Sequence, residues 1–148
     1  MSKDEVDKGQ TPVKSPWHMW VVGIMTLLWN GSGALTFLMA HLGMLSNLSS
    51  EEAAYYAAQP LWYVILVNIA TWGAFFAGIA LLLKSRLAFT LFGFSFAVIV
   101  LTDLIELVGG NSRALVSEGG MNLALMVLVI AFMQLLYTWR WKKMGVLK

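Results

Sequence analysis

The chain has 148 residues, 59% of them hydrophobic and only 12% charged, with a mean hydropathy of +0.72. Soluble domains carry about 25% charged residues, and a water-soluble fold this short would lack the polar surface to cover so much apolar side chain. The net charge of +2 excludes nothing, whereas the absence of cysteine excludes disulfides, thiolate metal sites and thiol chemistry.

In chain order, residues 1–15 mix Lys3, Asp4, Glu5, Asp7 and Lys8 and predict a flexible tail. The first apolar run covers residues 17–43. It is too long for a signal peptide and ends in no small-residue cleavage site, so it is expected to be an uncleaved anchor. Residues 46–60 follow, in which Ser49 and Glu52 match a capping box and Pro60 breaks the chain. They predict a short external amphipathic helix carrying Tyr55 and Tyr56 against the outer membrane–water interface. A second span covers 61–83 and a third 87–108, separated by a turn with Lys84 and Arg86. Glycine pairs bracket residues 109–120 around Arg113 and Glu118 and predict a loop. The fourth span covers 121–139, and residues 142–148 form a basic tail.

A bilayer core of ~30 Å takes roughly 20 residues of helix. Helix is the only form these runs can take in lipid, because unpaired backbone groups in hydrocarbon are costly. The expected fold is all-α: an integral membrane bundle of four transmembrane helices within residues 16–141. Nine of the ten lysines and arginines fall on one side of the spans, and only Arg113 falls on the other. Short basic loops stay cytoplasmic, so both termini and the Lys84–Arg86 turn are expected inside. Trp17, Trp20, Trp62, Tyr63, Trp139 and Trp141 stand where the helices should meet the interfaces. The expected partners are the lipid bilayer and either further copies of the chain or another membrane protein.

Function in such proteins usually lies where polarity persists at membrane depth. With each span's midpoint at the bilayer centre, Asn30 lies near the middle. Asn68 lies ~6 Å, Asp103 ~8 Å and Glu106 ~13 Å toward the external side, at ~1.5 Å per residue. Gln134 falls on the cytoplasmic side of centre. Gly23, Thr26, Asn30, Gly33, Phe37 and His41 recur at helical spacing as one small or polar stripe. Asn68, Thr71, Trp72 and Phe75 share a face of the second span, beside a small-residue seam of Ala70, Ala74 and Gly78.

Asp103 and Glu106, three residues apart, point the same way and include the type of group a proton- or cation-coupled site requires. Two placements remain open for them: a polar cavity in the outer half of the bundle, or the headgroup layer with Arg113 as partner. Asn30, Asn68 and His41 complete the candidate binding set. For each a structural role stands beside the functional one, interhelical hydrogen bonding for the asparagines and an interfacial position for His41.

Several chemistries are argued against. His18 and His41 lie at opposite membrane faces, so they bind no common metal or haem, and no cofactor is expected. No serine, histidine and acid come together as a triad, so catalysis is not expected. Gly31-Ser32-Gly33 sits inside an apolar helix rather than after a strand, which excludes a phosphate loop. The basic residues serve topology, with no interleaved aromatic surface for nucleic acid.

The chain resembles a family of small four-helix inner-membrane proteins of Gram-negative bacteria loosely labelled "sugar transporter". The likeness lies in Pro16-Trp17 with Trp20, Leu28-Trp29-Asn30 with Gly33, and Glu51-Glu52-Ala53-Ala54-Tyr55-Tyr56. It continues through Pro60-Leu61-Trp62, Trp72-Gly73-Ala74 and Leu81-Leu82-Leu83-Lys84-Ser85-Arg86, covering roughly residues 16–96. The resemblance implies an inner-membrane location and the same topology, and it carries no established catalytic residues. Where the family often has an acidic residue after the Trp-Asn pair, this chain has Thr36. Two functions follow as expectations: a proton- or cation-coupled transporter of a small solute working as an oligomer, or a non-catalytic accessory subunit of a larger membrane complex.

Overall fold

A computed structural model describes residues 17–109 and 120–147. Those residues form five α-helices and no strand: α1 His18–His41, α2 Ser50–Ala58, α3 Leu61–Leu82, α4 Leu87–Gly109 and α5 Gly120–Lys143. All but α2 are long and apolar enough to cross a membrane. With 22 to 24 residues each, they reach about 33–36 Å, against a hydrocarbon core of ~30 Å. The expected all-α bundle is the fold observed. The tail at 1–15 and the segment with Arg113 and Glu118 lie outside the described residues.

Local chemistry sets the helix ends. Ser49 and Glu52 close a full capping box on α2: Ser49 Oγ accepts from the Glu52 N–H at 3.2 Å, and Glu52 Oε2 accepts from the Ser49 N–H at 3.0 Å. Gln59, ahead of Pro60, is extended (ψ 131°), as the proline ring demands of its predecessor, and this separates α2 from α3. Three of the spans end in one motif, a residue in the left-handed region followed by a bond back to the last turn. Gly43 (φ 67°) ends α1 with Met44 N–H donating to Met39 O, and Gly145 (φ 71°) ends α5 with Val146 N–H donating to Trp141 O. After α3 the same place is taken by Lys84 (φ 57°), with Ser85 N–H donating to Ala80 O.

Helix α3 is the central element, packed against α1 on one side and α4 on the other. Its seam of Ala70, Ala74, Ala77 and Gly78 is buried, so backbones approach closely without large side chains between them. At Gly78 a Cβ would stand 2.9 Å from Leu27 Cδ2 of α1. Helix α5 packs against α4 and remains the least covered span.

The faces turned outward are apolar, from Trp17, Trp20, Met25 and Leu28 on α1 to Leu125, Val129, Phe132 and Met133 on α5. That surface belongs in lipid rather than water. Trp17, Trp20, Trp62 and Trp139 are exposed near helix ends, but Tyr63 and Trp141 are buried inside the protein and form no part of an outer aromatic belt. The end of the chain also departs from expectation. Beyond α5 the backbone turns at Gly145 and inserts Val146 and Leu147 among Met19, Leu81, Ala88 and Trp141. The Arg86 Nε–H donates to Leu147 O at 3.2 Å. Residues 146 and 147 are therefore part of the core at this end of the bundle, because two apolar side chains follow the basic run and find an apolar cap to fill.

Candidate functional site

The polar groups gather at the opposite end, where α2 docks. Nine residues make a helix too short to persist alone in water, so α2 depends on what it buries. Tyr55 and Tyr56 fill that role. They pack with Ala40 and with Phe37, Leu45 and Leu48, and the Tyr56 ring stands edge-on to His41 with centroids 5.1 Å apart. The expected short helix is present, and both tyrosines face into the protein, 6% and 7% exposed, as packing residues rather than part of an outer belt.

That docking assembles a hydrogen-bonded chain across α1, the α2–α3 junction and α4. The Tyr55 hydroxyl donates to Glu106 Oε1 at 2.6 Å, and the Gln59 amide Nε2 donates to the same oxygen at 3.3 Å. Gln59 Oε1 lies 2.9 Å from His41 Nε2, and His41 Nδ1 lies 2.8 Å from the Phe37 carbonyl oxygen. Tyr63, buried at the start of α3, stands beside the Tyr55 and Glu106 groups. A carboxylate so placed has no cation to neutralise it among the described lysines and arginines, since Lys84, Arg86, Arg140, Lys142 and Lys143 all sit at the other end of the bundle.

Donor and acceptor chemistry restricts the protonation of this chain. A backbone carbonyl only accepts, so His41 carries a proton on Nδ1. With the Gln59 amide donating to Glu106, its oxygen accepts from a proton on His41 Nε2, giving an imidazolium and a carboxylate joined through one amide. With the amide turned over, its NH2 donates to the bare Nε2 of a neutral His41, and its oxygen accepts from a protonated Glu106. Both arrangements hold the same number of protons. The two arrangements differ in which end carries the proton, and each requires its own orientation of the Gln59 amide.

The remaining candidates are distributed differently. Asp103 is half-buried one turn from Glu106 and has no hydrogen-bond partner among the described residues. Asn68 donates to Val64 O of its own helix at 2.9 Å. Asn30 donates to Thr26 O at 2.9 Å and reaches Gln134 Oε1 of α5 at 3.5 Å. The structure thus brings His41 and Glu106 together and joins Asn30 to Gln134, but does not unite Asn30, Asn68 and Asp103 in one group. Gln59 and Tyr63 escaped the sequence reading, because nothing local marks them: Gln59 reads as the residue before a proline, and Tyr63 as an interfacial aromatic. Among the described residues, no group of three His, Cys, Asp or Glu side chains is placed to hold a metal ion. No family model, curated protein or solved structure matches the chain.

Proposed function

We propose that this chain is a proton-coupled membrane transporter of a small solute, with Glu106, His41 and Asp103 as its coupling groups. The observation that carries the reading is the His41–Gln59–Glu106 chain, which can hold one proton at its His41 end or at its Glu106 end, with no lysine or arginine beside Glu106 among the described residues. Asp103, one turn along α4 and without a hydrogen-bond partner among the described residues, is the next group able to take that proton. The distribution of lysine and arginine supports both termini lying in the cytoplasm, which puts the Glu106 site on the external side. The resemblance to small bacterial inner-membrane proteins supports that membrane as its location. The pocket beside Asn30 and Gln134 holds only about 20 Å3, too little for a solute, which supports a path between copies and an oligomer as the working unit.

Proteoliposomes carrying a proton gradient and a trapped pH dye test this. Addition of a transported solute is expected to collapse the gradient with the wild-type chain and to leave it intact with Glu106→Gln or Asp103→Asn at equal incorporation. Equal proton flux in wild type and Glu106→Gln would sink the proposal. The small enclosed volume and the sparse cover of α5 favour a second reading, a non-catalytic subunit whose α5 face meets another membrane protein. Recovery of a stoichiometric partner from native membranes in mild detergent distinguishes the two.

A further inference from the structure

Among α1, α3, α4 and α5, midway along the bundle and away from the Glu106 chain, lies a small, partly open pocket. Trp29 and Asn30 line it from α1, Ser95 and Ile99 from α4, and Ala131 and Gln134 from α5. Ser95 is 2% exposed, and its Oγ is buried with no hydrogen-bond partner among the described residues. An orphaned buried hydroxyl is unfavourable, more so at membrane depth, where no bulk water can satisfy it. The other two polar groups are also incompletely used. Asn30 spends its amide NH2 on Thr26 O and Gln134 Oε1, and among the described residues its Oδ1 has no donor and the Gln134 NH2 no acceptor.

We infer that this pocket is a binding site for a single water molecule held by Asn30, Ser95 and Gln134. Its volume, about 20 Å3, exceeds the ~10–15 Å3 a water needs, and three polar groups fall within the usual complement of two to four partners. The mixed character of the lining selects the ligand. A cation requires oxygen lone pairs from every partner, whereas here an acceptor (Asn30 Oδ1), a donor (Gln134 Nε2) and a hydroxyl that is both suit a molecule that donates and accepts. The long 3.5 Å separation between Asn30 and Gln134 is then one edge of a polar triangle closed through the water. The triangle ties α5 to α1 and α4 midway along the bundle.

Two variants of the purified full chain test it. Since the chain has no cysteine, Ser95→Cys introduces a lone thiol whose S–H stretch is read by infrared spectroscopy. In D2O it is expected to exchange to S–D an order of magnitude faster than the thiol of Val98→Cys, placed at a buried position outside the pocket. Ser95→Ala, which removes one anchor of the water, is expected to lower the thermal midpoint by several degrees. Exchange at Ser95→Cys no faster than at Val98→Cys overturns the inference. So does an unchanged or raised midpoint for Ser95→Ala, the outcome for a dry pocket relieved of an orphaned hydroxyl. If Ser95→Ala does not fold, the thiol comparison alone decides.

Discussion

Tyr55→Phe removes one oxygen atom and leaves the buried ring in place, so it removes the polar contacts of the hydroxyl, the 2.6 Å bond to Glu106 among them. That length is typical of a hydroxyl donating to a carboxylate, and hydrogen bonds to charged groups contribute about 1.5–3 kcal/mol. The loss falls on α2, whose nine residues have little stability of their own and which is held to the bundle by this bond, by Gln59 and by the tyrosine rings. The variant is therefore expected to speed amide hydrogen exchange across Ser50–Ala58 by roughly ten- to a hundredfold, at about 1.4 kcal/mol per tenfold, with exchange in α3 and α4 unchanged. Combining Tyr55→Phe with Glu106→Met gives a double-mutant cycle. The coupling energy should reach about 1.5–3 kcal/mol. If the two effects simply add, within about 0.5 kcal/mol, the Tyr55–Glu106 bond does not hold α2 and the reading of this end as one connected site is wrong.

Two further predictions concern the opposite end. Lys84 is the one non-glycine residue with positive φ among those described (57°), and a side chain there costs about 1 kcal/mol relative to glycine. Lys84→Gly should raise stability by about that amount in a detergent unfolding titration; a loss of stability would mean that the Lys84 side chain makes a compensating contact. Leu147 is fully buried, so Leu147→Ala should cost about 2–3 kcal/mol in the same titration, as for a core leucine. An unaffected variant would show the last residues to be a free tail.

The four spans, their limits to within a few residues and the capping box on α2 are legible because each follows from chemistry within one stretch of chain. A run of apolar side chains near 20 residues has one stable form in lipid, and Ser49 and Glu52 meet across a single turn. The small-residue seam on α3 is legible for a related reason, since helical spacing puts Ala70, Ala74 and Gly78 on one face whatever they pack against.

The site is another matter. His41 and Glu106 can be picked out singly as polar groups near the end of a span, yet nothing in the order of residues joins them. Their connection needs Gln59, which is 18 residues from His41 and 47 from Glu106, and reaches both only because α2 folds back over the end of α1. Tyr55, Tyr63 and Trp141 carry amphipathic rings suited equally to a membrane interface and to a protein interior, and the fold of the neighbouring helices placed all three inside. Ser95 was buried without a hydrogen-bond partner among the described residues only by the meeting of α4 with α1 and α5. By itself the sequence determined which segments are helices and that four of them are built for lipid, because those are properties of local pattern and solvent. Which polar groups face one another was decided by the packing of helices distant in sequence, because a hydrogen bond depends on distances of about 3 Å that no single segment specifies.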